Sequence, residues 1–281
     1  MHLIRRGGFK KAGWNANLLF VYDETIIGGE LLNILILNDD GIAADGLKTL
    51  ARHLAQRHCV TVAAPMHQQS GTSHALTIGS AIEVRADETF DAENNITAWA
   101  INGTPADCAK LYLDAIAGEM PDVVLSGINH GSNLGTDVIY SGTVGAAFEG
   151  LFHGIPSFSL SLIEGSRISF TQAAGYFEPF MQKIMEQEKK PFLLNINFPK
   201  ELAGNTPQFI FCRQGGRDYI NAFERIEEYG RIHYRVSGEV SDTDKGMGTD
   251  IYAVEHGFIS VTPLGIDTTD YCLLEHFSAV N

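Results

Sequence analysis

The chain has 281 residues, of which 44% are hydrophobic, and its formal net charge is −14 at pH 7. This content can bury the core of one large domain, alone or with an appendage. The acidic balance argues against a stable complex with nucleic acid, because that requires a basic surface, and an anionic ligand would need local positive charge or a metal. The four cysteines are far apart and form no Cys-x-x-Cys pair, which favours a reducing, cytoplasmic location and argues against a zinc site.

The first 31 residues differ in character from those that follow. Residues 1–11 are basic, and the apolar residues 18–22 are too few to span a bilayer or to form a signal-peptide core. We therefore predict that residues 1–31 are an extension outside the fold and that the protein does not associate with membranes. Residues 32–281 are predicted to form the folded domain, with an α/β core at 32–200 and a β-rich extension at 201–281.

An apolar run at residues 33–37 ends abruptly in Asn38, Asp39, Asp40 and Gly41. Such a run is typical of a parallel strand buried on both faces, and ligands of open α/β sheets bind at the carboxyl ends of the strands. Two carboxylates about 4 Å apart repel by about 4 kcal/mol at an effective dielectric constant of about 20, so a hard cation such as Mg²⁺ or Mn²⁺ is the simplest compensation. The same four residues also suit an ordinary polar turn, and by themselves they leave both interpretations open.

A helix and a second strand are predicted to follow. Asp45 can cap a helix whose apolar residues recur at i, i+3, i+4 and i+7, namely Leu47, Leu50, Ala51 and Leu54. Residues 59–64 are β-rich, so the next loop, residues 66–74, leaves the sheet at the same edge as the two carboxylates. Ser70 in this loop is a candidate ligand for a metal or a phosphate, and an ordinary solvated loop is the alternative.

Residues 75–84 and 96–101 are predicted as strands that pair in a side hairpin, joined by a polar stretch. The segment after them has a strong helix start. Thr104 can be the N-cap, Pro105 the first helical residue and Asp107 the reciprocal capping partner. Capping accounts for these residues, although helix N-termini also attract anions.

A second buried strand at residues 121–129 also ends in small polar residues, and a Gly-rich loop with interleaved Asn, Ser and Thr continues to Thr143. Glycines allow the backbone to approach a ligand closely, so the loop is typical of an anion site. It matches neither the Walker pattern nor Gly-x-Gly-x-x-Gly, which argues against ATPase and dinucleotide-binding functions. Ser141 or Thr143 then opens a helix whose free N–H groups can hold a phosphate. The alternative is that these residues only cap the helix, but the long Gly-rich loop before it favours phosphate binding.

Later segments continue the alternation of strands and helices. Strands are predicted at residues 157–162 and 192–198, with a helix at 170–187 between them. This alternation over residues 33–200 predicts a doubly wound, mostly parallel α/β sheet.

From residue 201 onward the pattern is β-rich with little helix signal, and strands are predicted at residues 208–212, 229–236 and 251–262. Long hairpins that project from an α/β core commonly join subunits, so we predict a homodimer or a larger assembly. Arg213, Arg217 and Lys245 lie near polar turns of this part. Single basic residues of this kind are more often surface charges than substrate clamps.

Taken together, these segments resemble the survival protein E (SurE) family of 5'/3'-nucleotidases. The resemblance includes the strand that ends in Asn38-Asp39-Asp40-Gly41 and the Gly-rich loop that leads to Tyr140-Ser141-Gly142-Thr143-Val144. Its other segments, in chain order, are residues 70–71, 103–108, 126–135, 195–199, 249–250 and 261–264. The matched segments keep their order from residue 32 to about residue 265, and their joint pattern is highly specific.

The resemblance implies a Rossmann-like core with a β-rich extension, one divalent metal cation per subunit (Mg²⁺ or Mn²⁺), and hydrolysis of nucleoside 5'- and 3'-monophosphates. Some members also act on short polyphosphate, so exopolyphosphatase activity is a further expectation, and members are typically dimers or tetramers. The implied metal ligands are Asp39, Asp40, Ser70 and Asn129, and the two carboxylates are also the candidate catalytic residues. Contacts to phosphate or substrate are expected from Asn38, Gly71, Asn133, Ser141, Gly142 and Thr143.

The resemblance leaves some roles open. The family begins its first strand with a methionine where this chain has Leu32, so residues 1–31 have no counterpart, and His130 lies at a position that varies and receives no catalytic role. A metal-activated water is the expected nucleophile, with Asp39 or Asp40 as base, and direct attack by one of these carboxylates is the rival. A noncatalytic nucleotide-binding or sensing domain is the alternative function, although the presence of all four oxygen ligands argues against it.

Overall fold

The computed structural model describes residues 19–21, 31–90 and 96–279. The strands, in chain order, are β1 (Leu19–Val21), β2 (Asn33–Leu37), β3 (Cys59–Pro65), β4 (Val84–Ala86), β5 (Ile96–Ile101), β6 (Val123–His130), β7 (Ser157–Leu162), β8 (Leu193–Phe198), β9 (Gln208–Phe211), β10 (Gly216–Ile220), β11 (Phe223–Glu228), β12 (Arg231–Val236), β13 (Glu239–Asp244) and β14 (Ile259–Leu264). The helices are α1 (Asp45–Leu54), α2 (Pro105–Leu111), α3 (Gly142–Phe152), α4 (Phe170–Gln187), α5 (Asp250–Glu255) and α6 (Tyr271–Ser278). A π-helical turn (Tyr112–Ile116) extends α2, and a 3₁₀ turn (Gly135–Ile139) precedes α3.

Ten of these strands form one central sheet in the order β1-β9-β14-β8-β7-β6-β2-β3-β5-β4. The strands from β8 to β5 in that order run parallel, and antiparallel pairs lie toward the two edges. The chain proceeds from β2 to β3 and β5 on one side, then from β6 to β7 and β8 on the other, so the order reverses between β2 and β6. Ligands of such sheets bind at this switch point. The predicted doubly wound, Rossmann-like sheet is confirmed.

Strand β2 is buried on both faces, as its continuous apolar pattern predicts. Ile34 and Ile36 pack in the cluster that contains residues of α1 and α4, whereas Leu35 and Leu37 pack with residues of α2 and α3. The apolar residues predicted for α1 are all 0% exposed, namely Leu47, Leu50, Ala51 and Leu54. The sheet therefore lies between two helical layers, which support its carboxyl edge from both sides.

Two helix starts follow their sequence signals. Thr104 accepts a hydrogen bond from the Asp107 N–H, and the Asp107 carboxylate accepts one from the Thr104 N–H, so the predicted capping box of α2 is confirmed. Ser141, rather than Thr143, caps α3 by accepting a 3.1 Å hydrogen bond from the Val144 N–H.

Helix α1 starts differently from its prediction. Asp45 is the first helical residue, Ala44 occupies the N-cap position, and no side chain caps this end. The Asp45 carboxylate instead lies in the first turn, where the helix dipole favours a negative charge. A Cβ atom on Gly46 would lie 2.0 Å from the Ile128 carbonyl oxygen. The start of α1 therefore packs closely against the end of β6 and has no side-chain cap.

The predicted hairpin forms, but it is shorter than expected and is not separate from the main sheet. Of its first half, only the end forms a strand, β4, which pairs antiparallel with β5. Strand β5 also pairs in parallel with β3, so the hairpin is the edge of the central sheet. The loop before β4 bonds to the start of α2 instead. The Thr77 N–H and hydroxyl donate to Asp107 at 2.9 and 2.6 Å, and the Thr104 hydroxyl donates to the Ala75 carbonyl at 2.6 Å. These side-chain bonds satisfy polar groups of the loop without a strand.

The carboxyl-terminal part is more helical than its sequence predicts. Where a strand was predicted over residues 251–262, helix α5 comes first and β14 follows. Thr249 caps α5 by accepting a 3.1 Å hydrogen bond from the Tyr252 N–H. Helix α6 was also not predicted. The strands predicted at residues 208–212 and 229–236 are confirmed, with small changes at their ends, as β9 and β12.

Strands β10 and β13 form one separate antiparallel sheet and β11 and β12 another. We call these two sheets the arm. Strands β9 and β14 instead belong to the central sheet, and β1 pairs with β9 at its edge. The division of the chain at residues 31 and 200 stays a prediction, and the other residues of 1–30 lie outside the described ones.

Candidate active site

Three loops and a helix start meet at the switch point between β2 and β6. Asp39 follows β2, Ser70 lies in the loop after β3, Asn129 lies near the end of β6, and Ser141 precedes α3. All four line one open cleft of about 350 Å³. The rest of its wall consists of Gly71, His130, Gly131, Ser132, Asn133, Asp137, Tyr140 and Tyr219. The fold thus brings together segments that lie far apart in the sequence.

Asp40, the fourth predicted metal ligand, ties these loops together. The Gln68 side-chain amide donates to Asp40 Oδ1 at 3.3 Å and to the Ser70 hydroxyl oxygen at 3.0 Å. The His130 backbone N–H donates to Asp40 Oδ2 at 3.0 Å. Asp40 is therefore held between the loop that carries Ser70 and the strand end that carries Asn129. Gln68 carries no sequence signal for this role, because the sequence does not show which loop residue faces a carboxylate.

Asp39 is buried, with 5% of its surface exposed. The Thr143 hydroxyl donates a hydrogen bond to Asp39 Oδ1, and the Thr143 backbone N–H adds a second contact. Burial, opposed by the Thr143 hydroxyl and reinforced by the charge of Asp40, raises the pKa of Asp39 to about 6. A buried carboxylate beside a like charge is unfavourable, and a bound cation would relieve this repulsion.

Helix α3 begins very close to Asp39 because Gly142 has no side chain. A Cβ atom on Gly142 would lie 2.9 Å from Asp39 Cβ and 3.0 Å from Thr72 Oγ1. Ser141 lines the cleft while its hydroxyl oxygen caps the helix. Among the phosphate contacts predicted at this helix start, Gly142 and Thr143 therefore lie against Asp39, and Ser141 reaches the cleft.

Two asparagine amides close the turns beside the carboxylates. Asn38 is 1% exposed, its Nδ2 donates to the Gly41 carbonyl at 2.9 Å, and its Oδ1 has no hydrogen-bond partner among the described residues. Asn129 Nδ2 donates to the Gly131 carbonyl at 2.9 Å, so its Oδ1 is the side-chain atom left for a cation. Asn38 is therefore buried and is not among the wall residues of the cleft, whereas Asn129 is part of its wall.

A buried polar network holds Asn133 in the cleft wall. Its side-chain amide donates to the Ser161 hydroxyl at 2.8 Å, and its backbone N–H donates to Asn197 Oδ1 at 2.8 Å. Its carbonyl accepts hydrogen bonds from the amides of Asn195 and Asn197 at 2.8 and 3.1 Å. Two asparagines at alternate positions of a core strand were the sequence signal for this network, because buried amides require partners. The network fixes the backbone of the Gly-rich loop.

The cleft wall includes two carboxylates, Asp39 and Asp137, but no Lys or Arg among its described residues. Arg217, which lies outside the wall, pairs with Asp137, so the charge of Asp39 is the one that a bound cation would compensate. Across the ranges that the structure describes, no three His, Cys, Asp or Glu side chains are grouped as metal ligands. The candidate donors are therefore two carboxylates, one hydroxyl and one amide, a set that suits Mg²⁺ or Mn²⁺ better than zinc.

Comparisons with known proteins point to one family. The family model described as Survival protein SurE matches residues 34–221, more than half of the chain. The chain is similar to the 5'-nucleotidase SurE of Gloeobacter violaceus, with 43% identity over 241 residues that cover 85% of this chain and 91% of the relative. This chain belongs to the SurE family. A second relative, the 5'-nucleotidase SurE of a Synechococcus species, is 42% identical over 249 residues, which cover 87% of this chain and 95% of the relative.

A solved structure agrees with this membership. The crystal structure of the SurE protein from Aquifex aeolicus matches the present fold with a TM-score of 0.71 at 33% sequence identity. The match covers 88% of this chain and 99% of that chain. The SurE resemblance inferred from the sequence motifs is therefore confirmed.

In this SurE-family chain the arm reaches the cleft at β10, where Tyr219 is part of the cleft wall and Arg217 pairs with Asp137 of that wall. The Arg217 side chain is 11% exposed and lies between two carboxylates, with Nη1 3.2 Å from Asp137 Oδ2 and Nε 2.7 Å from Asp242 Oδ1. Tyr219, also on β10, donates its hydroxyl to Asp137 Oδ1 at 2.9 Å. Arg217 is therefore a largely buried ion-pair partner that neutralises Asp137. It is neither a surface charge nor a residue of the cleft wall.

The other basic residues considered in the sequence form exposed ion pairs. Arg213 Nη1 lies 2.6 Å from Asp244 Oδ2, and Lys245 Nζ lies 3.4 Å from Glu255 Oε1. Both pairs are consistent with surface charges.

Asp250 joins the arm to the Gly-rich loop of this SurE-family chain. Its carboxylate is 0% exposed and accepts hydrogen bonds from the Gly135 N–H at 2.9 Å and the Gly215 N–H at 2.8 Å. Burial raises the pKa of Asp250 despite these bonds. Thr249-Asp250 is one of the segments that resemble the family, but its sequence alone indicates no role. In the structure Asp250 positions both the cleft wall and the base of the arm.

Proposed function

We propose that this SurE-family enzyme is a metal-dependent phosphomonoesterase that releases phosphate from nucleoside 5'- and 3'-monophosphates. Family membership makes it a nucleotidase, and the metal and the 3' activity are the finer parts of the proposal. One observation carries it: Asp39, Ser70 and Asn129 share a cleft with no Lys or Arg among its described wall residues, and Asp40 bridges their loops. A phosphate cannot approach two carboxylates closely unless a cation compensates the charge.

The donor set fits one divalent cation per subunit, Mg²⁺ or Mn²⁺. Asp39, Asp40, Ser70 and Asn129 would hold it through oxygen atoms. Gln68 and the His130 N–H keep Asp40 in place, as the partners of metal-binding carboxylates commonly do. When bound, the cation would supply Lewis-acid charge to a phosphate oxygen.

The chain's own residues would position the phosphate, and positioning and charge stabilisation account for most of the catalysis of phosphoryl transfer. Gly71, Asn133 and Ser141 line the cleft, and we assign them the direct contacts to substrate. We assign Asn38, Gly142 and Thr143 a supporting role instead. Asn38 closes the turn, and the other two residues lie against Asp39, so all three keep the carboxylates in place.

We propose that water attacks phosphorus and that Asp39 or Asp40 accepts its proton. The rival is attack by one of these carboxylates, which would form an aspartyl phosphate that water then hydrolyses. Acid quench of the enzyme during turnover of labelled substrate separates the two. Labelled phosphate that remains on the protein would support the aspartyl phosphate, whereas unlabelled protein would support direct attack by water.

The central test is phosphate release from AMP and from 3'-AMP, with Mn²⁺ or Mg²⁺ and then with excess EDTA. We expect release from both nucleotides with metal and loss of release with EDTA. Release that does not depend on metal, or no release from any nucleotide, would refute the proposal. Nucleotide binding without turnover would instead support a noncatalytic nucleotide-binding or sensing domain.

A variant tests the ligand set directly. Asp40→Asn keeps the shape of the side chain but removes its charge, so we expect a folded protein with weaker Mn²⁺ binding and little phosphate release. A folded Asp40→Asn protein with unchanged metal affinity and activity would remove Asp40 from the set. Release of phosphate from short polyphosphate can be measured with the same enzyme, and we expect it to need the same metal.

We also propose a homodimer or homotetramer that assembles through the arm and the carboxyl-terminal helix. The arm and α6 expose large apolar side chains, including Phe223, Ile232, Tyr234, Val236, Leu273, Leu274 and Phe277. Exposed apolar surface of this extent is typical of contact surfaces. Light scattering after gel filtration would test the assembly, and a monomer would contradict it.

We retain the cytoplasmic location as a proposal that rests on cysteine usage. The structure describes four free cysteines, at Cys59, Cys108, Cys212 and Cys272. Within the described residues, no helix combines the length and the apolar character that crossing a bilayer requires.

A further inference from the structure

Two tyrosines stand in the wall of the cleft beside its polar residues. Tyr140 is 64% exposed and Tyr219 is 42% exposed, and both line the same cleft as Asp39, Ser70 and Asn129. An exposed tyrosine elsewhere on a surface carries little information. Two exposed tyrosines in the wall of one cleft are more informative than an isolated one. Their rings add flat apolar surface, which the binding of a metal ion and a phosphate does not require.

Both tyrosines are fixed to one residue, Asp137. The Tyr219 hydroxyl donates to Asp137 Oδ1 at 2.9 Å, and the Tyr140 backbone N–H donates to the Asp137 carbonyl at 3.0 Å. Arg217 holds the same carboxylate from the arm, with Nη1 3.2 Å from Asp137 Oδ2. The Tyr219 hydroxyl is thus already bonded, so the group that Tyr219 offers to the cleft is its ring.

Tyr140 is also held on its carboxyl-terminal side. Its carbonyl accepts a hydrogen bond from the Ser73 N–H at 3.1 Å, and the next residue, Ser141, caps α3. The backbone of Tyr140 is therefore fixed between the 3₁₀ turn and the helix start that lies against Asp39. Tyr140 directly precedes Ser141, which is a proposed phosphate contact, and the Tyr140 ring is exposed.

We propose that Tyr140 and Tyr219 form a nucleobase subsite, in which their rings stack on the base of a nucleotide whose phosphate lies at Asp39 and Asp40. This inference rests on the proposed function and adds the part of the site that distinguishes a nucleotide from a simpler phosphate ester. Stacking on aromatic side chains tolerates every base, because each has a π face. The subsite therefore predicts broad base tolerance, with a modest preference for the larger purines.

The test compares AMP with ribose 5-phosphate, which keeps the phosphate and sugar but lacks the base. For the full chain with Mn²⁺, we expect a higher kcat/KM for AMP than for ribose 5-phosphate. Tyr140→Ala should lower the ratio of the two kcat/KM values by about 5- to 150-fold, equivalent to the ~1–3 kcal/mol that stacking contributes per base. Tyr140→Phe keeps the ring and should keep the ratio.

Substitutions of Tyr219 provide a second, independent part of the test. Tyr219→Ala should lower the ratio, whereas Tyr219→Phe, which loses only the bond to Asp137, should lower it less. Tyr229→Ala is the matched control, because Tyr229 is 103% exposed and is not part of the cleft wall. A fall in both kcat/KM values by the same factor in Tyr140→Ala and Tyr219→Ala, or no change in either, would overturn the subsite.

Binding separates this inference from the proposed function. If the wild-type chain hydrolyses neither compound, the proposed function fails, and calorimetric affinities with Mn²⁺ then test the subsite alone. Tighter binding of AMP than of ribose 5-phosphate, lost in Tyr140→Ala, would support the subsite. Equal affinities for the two compounds in the wild-type protein would overturn it.

Discussion

The Thr143 hydroxyl donates a hydrogen bond to the Asp39 carboxylate across 104 residues of sequence. This bond joins the first residues of α3 to the end of β2, on either side of the switch point. Because the Thr143 hydroxyl donates to Asp39, we assign Thr143 the role of positioning this carboxylate and not that of a direct phosphate contact. Thr143 would then act on the substrate through Asp39, whereas Ser141 lines the cleft itself.

Thr143→Val should weaken metal binding while the shape of the side chain is kept. Loss of a hydrogen bond to a metal-binding carboxylate typically costs about 10- to 100-fold in metal affinity or activity, and we expect a loss of that size in Mn²⁺ affinity by calorimetry. Thr143→Ser retains the hydroxyl and is the control. Equal Mn²⁺ affinities for Thr143→Val and Thr143→Ser would contradict the role given to this bond.

Gly142→Ala should reduce kcat/KM for AMP by about 10- to 100-fold, because displacement of a reacting group by ~1 Å can cost that much. The added Cβ would lie 2.9 Å from Asp39 Cβ, so the helix start and the carboxylate must move apart. Helix propensity alone would favour alanine by about 1 kcal/mol. Gly118→Ala is the control, since nothing lies within 4 Å of its added Cβ. Full activity in Gly142→Ala would show that this close approach is not needed.

Arg217→Met should lower the free energy of unfolding by about 3 kcal/mol, because it leaves Asp137 and Asp242, whose side chains are only 15% and 13% exposed, without their cation. Urea unfolding at neutral pH measures this loss. Arg213→Met is the matched control: its pair with Asp244 is about half exposed, at 57% and 45%, and exposed pairs contribute less than about 1 kcal/mol. Similar losses in the two variants would mean that the buried pairs contribute no more than the exposed pair.

Glu178 should give the protein a stability that depends on pH. Burial raises the pKa of Glu178, but hydrogen bonds from His53 and Arg57 and the nearby His58 imidazole, whose Nε2 lies 3.3 Å from Glu178 Oε1, outweigh burial and hold this pKa well below its usual range. A carboxylate with a lowered pKa contributes stability above the pKa of the unfolded chain, about 4.3 for Glu. That contribution is lost as the pH falls below this value toward the lower folded pKa.

Glu178→Gln tests this dependence. We expect a loss of about 3 kcal/mol at pH 7, at the low end for a broken buried pair because Arg57 is 53% exposed. Between pH 5 and pH 3, urea midpoints should fall more steeply for the wild type than for Glu178→Gln. Glu201→Gln is the control, because its pair with Arg167 is exposed on both sides, at 62% and 81%. Parallel pH profiles for the wild type and Glu178→Gln would exclude Glu178 as the source.

Much of the core was predictable because its signals are local. The unbroken apolar run of β2 and the i, i+3, i+4, i+7 spacing in α1 report burial directly, and every residue of the α1 pattern is fully buried. The cap at Thr104 was predictable for the same reason, since a cap bonds to an N–H only three residues away, and the sequence limited the cap of α3 to Ser141 or Thr143. Local signals failed where a distant contact competed with them. Asp45 does not cap α1, and the loop before β4 bonds to the start of α2 instead of forming a strand.

The sequence by itself determined that polar loops follow β2, β3 and β6, and parallel topology brings such loops to one edge of the sheet. Only the tertiary structure decided which atoms face each other there. Gln68 reaches Asp40 across 28 residues, the His130 N–H reaches it across 90, and Arg217 neutralises Asp137 across 80. Such contacts depend on how loops and the arm fold back over the sheet edge, because no periodicity or spacing in the chain relates residues that meet only in the folded state.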